Sequence, residues 1–415
     1  MKPMRSPIPL EQMEPAAQPV NEAVGLPPAC YTDPAFFAFE KAAVFDTEWL
    51  CVGRSSQIPE PGDYFTVTLL GSEPVIVVRN RDGRINVMSS ICRHRAMCIT
   101  APAERPKDQW FDPPGECSGS TRNFRCPYHW WTYDLDGRLV GAPEMHQRPG
   151  FVRSEISLPQ LAVEEWQGFV FCSFAADPVP LGPRLGAFDE MLDNYCIEEL
   201  VTTEPELLSM PFNWKVFAEN FMDAYHSLRL HASLYDFSEA DTSNETLLAG
   251  TFPPLKPGSI GIGGRGRTGF KDRGMNPTQA TLFPAMPTLN DDDRWNVVYL
   301  YVAPSLLIGA YSDSVKWLAV HPVSADQSLG RLGYLFPEST TKLKLFDQLL
   351  EQHQRGVELF YDQDMPVAVA SQRGMGSRFA PQGPLSGQDF FRSQLAEWLL
   401  ERYRAEDEAA AAASA

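Results

Sequence analysis

Cys92-Arg93-His94 and, further along, Cys126-Pro127-Tyr128-His129 decide the reading of this chain. Each stretch supplies one thiolate and one imidazole, so together they offer two sulfurs and two nitrogens. In a Rieske-type [2Fe–2S] cluster one iron takes both cysteines and the other both histidines, which raises the reduction potential above that of an all-cysteine cluster and suits the centre to moving single electrons. A structural zinc also accepts Cys₂His₂ ligation. Zinc fingers and ribbons usually pair like ligands within each half, however, whereas both halves here are mixed.

Working outward, Arg95 and Arg125 flank the ligands, and Trp131-Thr132-Tyr133-Asp134-Leu135-Asp136-Gly137 follows the second pair. On these residues the chain resembles the Rieske non-heme iron oxygenases, whose large subunits carry Cys-x-His-Arg and Cys-Pro-Tyr-His-x-Trp. There are two departures. Trp130 stands where the family usually has Gly, and 31 residues separate His94 from Cys126, where the family usually has about half as many. The excess falls in a Pro-, Gly- and Ser-rich stretch from Pro102 to Thr121, predicted to be a loop insertion. Cys98 and Cys117 flank it. High-potential Rieske proteins of respiratory complexes pair cysteines beside the cluster, but they carry Cys at the position of Tyr128, and disulfides are uncommon in a reducing cytosol. Free thiols are expected.

The 415 residues suffice for two or three domains of the usual ~100 to 200 residues. Thirty-five basic residues against 53 acidic ones give a net charge of −18, which repels nucleic acid and anionic membrane surfaces. The start, Met1-Lys2-Pro3-Met4-Arg5-Ser6, has no apolar signal core. The apolar stretch Val297 to Tyr311 is broken by Pro304 and falls short of the ~20 residues needed to span a bilayer. A cytoplasmic protein with no membrane and no nucleic-acid partner is expected.

Periodicity predicts a helix from Ala29 to Trp49, then β structure from Tyr64 to Val87 with a tight turn at Asn80-Arg81-Asp82-Gly83, and strands near Leu161 to Val163 and Phe169 to Ser173. The cluster ligands then lie on loops of a small β domain. Pro178 to Pro183 reads as a linker. Trp295–Val302, Leu306–Tyr311, Val315–Val320 and Arg331–Phe336 read as an antiparallel meander, followed by a long helix from Thr341 to Tyr361. The fold class is α+β. Gly258 to Gly274 reads as a mobile loop, or more sharply as a lid over an active site, and the Ala-rich end after Glu408 as frayed. The expected division is an N-terminal segment, 1–45, packing on the catalytic domain; a Rieske domain, 46–175; a catalytic domain, 176–408; and a disordered tail, 409–415.

The stretch from Asn213 to His231 has a helical period, with Trp214, Phe217, Phe221, Tyr225 and Leu228 on one side and Glu219, Asp223 and His226 on the other. On periodicity alone this is an amphipathic helix. The Rieske ligands change its meaning, because a cluster must pass its electrons on, and two imidazoles with one carboxylate form the facial triad that holds non-heme Fe(II). His226 and His231 are five residues apart, ~140° around a regular helix, so the helix must unwind or make a π-turn for both to reach one ion.

The resemblance extends here through an Asn-Trp-Lys start and a Glu-Asn-x-x-Asp-x-Tyr-His-x-x-x-x-His motif, matched at Asn213, Trp214, Lys215, Glu219, Asn220, Asp223, Tyr225, His226 and His231. It implies that His226 and His231 bind the mononuclear iron. It also implies that Asp223 bridges His226 to the cluster histidine His129 of a neighbouring subunit. Gln363-Asp364 through Gln372-Arg373-Gly374 resembles the family's distal segment and implies Asp364 as third ligand. The competing readings are Asp364 as cap of a helix containing Pro366 and Asp362 as the ligand. Val369 stands where many relatives have Glu.

The resemblance thus implies a Rieske β domain holding a [2Fe–2S] cluster at Cys92, His94, Cys126 and His129, and a helix-grip (START-like) domain with mononuclear Fe(II). It implies a terminal oxygenase that takes electrons from a separate NAD(P)H-dependent reductase or ferredoxin and uses O₂ to hydroxylate a small organic substrate, with aromatic ring hydroxylation first. Oxidative N- or O-demethylation, as of a quaternary amine, is the alternative, since length and N-terminal sequence also look like the choline, betaine and carnitine oxygenases. Through the Asp223 bridge the resemblance also implies a ring-shaped oligomer, most often a homotrimer. Asn220 and Phe360 are pocket candidates. A Rieske electron carrier is the rival of another class, and a second metal triad would exclude it.

Overall fold

The computed structural model describes residues 3–101, 115–223, 225–234, 253–268 and 271–414. They form two compact units, Cys51–Pro178 and a larger one of Met1–Leu50 with Val179–Ala415. Most of the predicted insertion, 102–114, lies outside the described residues.

The smaller unit is built on strands β1 (Leu50–Arg54), β2 (Asp63–Leu69), β3 (Glu73–Arg79), β4 (Ile85–Ser89), β5 (Ser118–Ser120), β6 (Phe124–Arg125), β7 (Thr132–Tyr133), β8 (Leu139–Gly141), β9 (Ala162–Trp166) and β10 (Phe169–Ser173). Its sheets run β4-β3-β2-β5, β6-β7-β8 and β1-β10-β9. The runs Val75-Ile76-Val77-Val78 and Phe169–Ser173 are buried throughout, as β-branched and aromatic side chains between packed layers should be. The turn at Asn80–Gly83 forms as predicted, with Gly83 at φ +82°. The end of the insertion is not a loop, because Ser118–Ser120 pairs with Asp63–Phe65 as β5. Cys98 and Cys117 are free thiols.

The larger unit centres on an antiparallel sheet of β11 (Val201–Thr202), β12 (Glu206–Met210), β13 (Gly261–Arg267), β14 (Asn296–Val302), β15 (Leu306–Ala310), β16 (Val315–Ser324) and β17 (Gln327–Phe336), in the order β11-β17-β16-β15-β14-β13 with β12 also on β17. The meander is thus present, each strand longer than or close to its predicted span. Five helices matter for the site: α1 (Pro34–Glu40), α2 (Trp214–Met222), α3 (Ser227–Leu230), α4 (Phe346–Met375) and α5 (Phe390–Ser414).

Several expectations need correction. The helix predicted from Ala29 breaks at Asp33, whose side chain accepts from the Ala35 N–H and caps α1 with Pro34 in its first turn. The long helix begins at Phe346 rather than Thr341 and runs to Met375, past Pro366. The glycine-rich segment is neither loop nor lid over its described part. Gly261–Arg267 is a mostly buried strand paired with β14. Its glycines serve close packing, since a Cβ at Gly261 would lie 2.4 Å from the Phe188 ring and one at Gly263 2.2 Å from the Tyr299 carbonyl. The Ala-rich end, expected as a disordered tail over 409–415, continues α5 to Ser414, with Ala410 buried. Alanine has the highest helix propensity, so the composition that suggested fraying is the one that sustains the helix.

The Asn213-Trp214-Lys215 start is a structural anchor. Asn213 caps α2 by accepting from the Lys215 N–H. Lys215 Nζ donates to Glu40 Oε1 at 2.6 Å and Trp214 Nε1 to Glu40 Oε2 at 2.9 Å, all three side chains being buried. Tyr403 of α5 completes the set by donating to Glu40 at 2.5 Å. A buried charge pair needs this degree of satisfaction to be tolerated.

Candidate metal centres

The two ligand loops of the smaller unit close in the same way. The Cys92 carbonyl accepts from Ala96 N–H at 3.1 Å while the Cys92 N–H donates to Met97. Likewise the Cys126 carbonyl accepts from Trp130 N–H at 3.0 Å while the Cys126 N–H donates to Trp131. The fifth residue of each loop is left-handed, Ala96 at φ +52° and Trp130 at φ +61°. A glycine takes that conformation without strain, which gives a physical reason for Gly being usual where this chain has Trp130. The indole is held by Arg125, whose guanidinium lies 4.8 Å from its ring centre.

These loops bring Cys92, His94, Cys126 and His129 together. The thiols are buried, and burial pushes the Cys126 thiol up, with Cys92 beside it adding to the effect. The His94 and His129 rings are 4.6 Å apart at 77°, both exposed, and His94 stacks on Trp131 at 5.0 Å. Two buried sulfurs and two surface imidazoles fit a cluster whose sulfur-bound iron is sealed and whose histidine-bound iron faces out. Tyr133, missed as a functional residue, sets its hydroxyl 3.3 Å from Cys92 Sγ and accepts from the Arg93 N–H at 3.0 Å.

In the larger unit, α2 ends at Asp223, whose backbone is extended, and the chain re-enters a single helical turn, α3. His226 opens that turn and His231 closes it. The predicted break therefore occurs before the histidines rather than between them, and Tyr225 is exposed instead of continuing the apolar stripe. The rings of His226 and His231 come within 5.1 Å, and Asp364 faces both. Its Oδ1 is 3.2 Å from His231 Nε2 and 3.6 Å from His226 Nε2. The ligand atoms of His226, His231 and Asp364 all lie within 4.8 Å of one another, so this set can hold one metal ion.

The other ring nitrogens are held too. His226 Nδ1 is 3.1 Å from Asp223 Oδ2, and His231 Nδ1 is 2.8 Å from Gln363 Oε1. Both Nε2 atoms are thereby turned inward, the arrangement that orients metal-binding imidazoles. Burial lowers the His231 pKa, but Asp364 and Gln363 outweigh it and leave the pKa above its ordinary value. The pocket favours positive charge where a cation would sit. Asn220 Nδ2 lies 3.4 Å from Asp364 Oδ1, and the Phe360 ring meets that of His231 edge-on at 5.1 Å. Asn220 also lines a hollow of about 620 Å³ shared with Asp223 and His226. Phe360 is not among the residues lining that hollow.

The geometry bears on the two competing readings. Asp364 is in the interior of α4, not at its end, so it is no cap. Asp362, two residues earlier and ~200° around the helix, is exposed and lines a different hollow with Glu206 and Gln354. Glu219 of the motif is engaged structurally, accepting from Tyr31 Oη at 2.5 Å and Arg392 Nε at 3.1 Å. Gln363 lay next to a quoted ligand without being recognised; its position beside Asp364 was the only sequence signal.

Comparison with known proteins agrees with this geometry. Residues 48–162 match the Rieske [2Fe-2S] domain, and residues 197–405 match the ring hydroxylating alpha subunit (catalytic domain). The chain belongs to this family. It carries a Rieske domain and the catalytic domain of the mononuclear-iron oxygenases. It is 32% identical over 225 residues to the glycine betaine monooxygenase oxygenase subunit of Chromohalobacter salexigens, covering 53% of this chain and 47% of that protein. It is 34% identical over 218 residues to the biphenyl 2,3-dioxygenase subunit alpha of Rhodococcus jostii, covering 51% and 44%. The chain thus spans about half the length of the curated relatives it matches. The fold matches that of the quaternary ammonium Rieske monooxygenase CntA in complex with gamma-butyrobetaine, with a TM-score of 0.72 at 20% identity over 96% of this chain and 100% of that one. It also matches naphthalene 1,2-dioxygenase from Rhodococcus sp., with a TM-score of 0.71 at 21% identity over 95% and 98%. No helix of the described residues is long and apolar enough to cross a membrane.

Proposed function

We propose that this chain is a terminal oxygenase that uses O₂ and electrons from a separate reductase or ferredoxin to hydroxylate a small organic substrate. The supporting observation is the pairing, in one chain, of four Rieske ligands with a second set of two Nε2 atoms and a carboxylate, which an electron carrier has no use for. Cys92, His94, Cys126 and His129 would hold the cluster, and His226, His231 and Asp364 the mononuclear iron. When bound, these centres supply single-electron transfer and O₂ activation. Asp223 and Gln363 keep the protons on Nδ1 of the two imidazoles, and Asn220 orients the ligating carboxylate.

Asp223 is also the proposed electron link. Its Oδ1 accepts from the Tyr225 N–H at 2.6 Å and its Oδ2 faces His226, which leaves carboxylate lone pairs for His129 of a neighbouring copy. A closed ring of copies, such as a homotrimer, is an assembly in which every copy is served. Relatives named for aromatic dioxygenation support ring hydroxylation, and relatives named for glycine betaine support oxidative demethylation as the second reading.

The purified protein should be red-brown, with about three irons and two acid-labile sulfides per chain, and should take up O₂ with a reductase and substrate present. Zinc without sulfide would end this reading. Asp223→Asn should keep both metals and a reducible cluster but lose most turnover. Full turnover in that variant would remove Asp223 from the electron path.

A further inference from the structure

One side of the large sheet carries a lysine that the metal centres do not use. Directly paired residues of adjacent strands share a face. The pairings Tyr299 with Gly309, Gly309 with Lys316 and Lys316 with Tyr334 therefore set a single row across β14 to β17. Lys316 is only 3% exposed. Its ammonium lies 4.6 Å from the Phe221 ring centre of α2 and 5.4 Å from that of Tyr361, which stands three residues before Asp364 on α4.

No hydrogen bond or ion pair reaches Lys316 Nζ among the described residues. The contrast is with Lys215, equally buried and salt-bridged to Glu40. An unpaired buried ammonium is costly, and aromatic faces offset only part of that cost. Burial accordingly pulls the Lys316 pKa down to about 7, with the negative charge of Asp364 opposing the fall. Gly309 beside it is closely covered, the rings of Tyr311, Tyr299 and Phe221 standing 3.2, 3.6 and 3.8 Å from where its Cβ would be. A cation without a partner, faced by the Phe221 and Tyr361 rings and within the field of Asp364, is a place for an anionic group that arrives from outside.

We infer that Lys316 recognises the substrate, and that the substrate carries a carboxylate which pairs with its ammonium while an apolar body lies against Phe221 and Tyr299. This deepens the oxygenase reading and rests on it. A quaternary ammonium group entering the same aromatic setting would meet a charge of its own sign. Lys316 is then a specificity residue, holding the substrate by its charged end beside the triad.

The test is equilibrium binding to the iron-loaded protein of three probes of similar size: benzoate, benzamide and benzyltrimethylammonium. Benzoate should bind best, and para-fluorobenzoate should show fluorine NMR line broadening by the paramagnetic iron. Lys316→Met should weaken benzoate on the order of 10- to 100-fold, the equivalent of one charge-assisted hydrogen bond, and leave benzamide unchanged. Lys316→Arg should retain most of the affinity. Unchanged benzoate binding in Lys316→Met, or a wild-type protein that prefers benzamide or the ammonium probe, overturns the inference; the wild-type series decides alone if Lys316→Met does not fold. Full iron and sulfide with no preference for the carboxylate sinks this inference and spares the oxygenase reading. Absence of iron and sulfide sinks both.

Discussion

Gln363 Oε1 lies 2.8 Å from His231 Nδ1, and the amide's Nε2 donates to Ser233 Oγ at 3.0 Å, which fixes the orientation of the amide. A carbonyl oxygen only accepts, so His231 carries a proton on Nδ1, which leaves Nε2, on the Asp364 side, as the nitrogen that can take a metal. Consecutive residues of one helix thus govern both nitrogens of one imidazole. Gln363→Ala should lower iron affinity ~10- to 100-fold, read as iron retained after dialysis against a chelator, and Gln363→Glu should restore it. Full retention by Gln363→Ala would show that the tautomer is set elsewhere.

Asp364→Ala removes the only anion of the triad, so it should lose the mononuclear iron and keep the coloured cluster. Asp362→Ala, at an exposed position on another face of α4, should keep both. Iron determination on the two variants separates them, and the reverse pattern would move the third ligand to Asp362.

Tyr133→Phe removes a hydroxyl 3.3 Å from Cys92 Sγ. Because that oxygen already accepts from the Arg93 N–H, its own proton is available to the sulfur. A donor at sulfur stabilises the reduced cluster, so the variant's potential should fall by about 40 mV, the equivalent of one net hydrogen bond of ~1 kcal/mol. Voltammetry checks it, and an unchanged potential would mean the proton points away.

Asp313, between β15 and β16, is buried, and burial raises its pKa to about 6 although Ser314 Oγ and the N–H groups of Phe283 and Leu282 hydrogen-bond to it. A carboxyl whose folded-state pKa exceeds its unfolded one contributes fully below the unfolded value. It loses that contribution as pH rises through about 6. Asp313→Asn should therefore gain stability relative to wild type as pH climbs, levelling at ~3 kcal/mol for a shift of roughly two units. Denaturant melts across that window measure the difference, and a difference independent of pH would contradict the assignment.

The parts of the fold legible in sequence were those where one local pattern decides the outcome. The Val75–Val78 run, the Asn80–Gly83 turn and the strands from Asn296 to Phe336 follow from side-chain periodicity and turn chemistry. Gly261–Arg267 failed because a glycine run looks like a loop until Phe188 and Tyr299 are seen to occupy the space its side chains would need. In the site, residue type and spacing pointed to Cys92, His94, Cys126, His129, His226 and His231. Nothing local pointed to Lys316 or Tyr133, and only its place beside Asp364 pointed to Gln363; their roles arise from partners up to 132 residues away, as for Gln363 with His231.

The Glu40 cluster has a further consequence, for the order in which the protein can be made. Glu40 leaves the ribosome well before Tyr403, whose hydroxyl completes its shell 363 positions later. The Cys51–Pro178 unit has both ends in hand long before that and is free to fold during synthesis. The larger unit must wait, its opening segment unsealed until α5 emerges. A nascent chain stalled before α5 should therefore display a finished cluster domain next to an unfinished catalytic one, with a glutamate still exposed to water that the complete protein keeps dry.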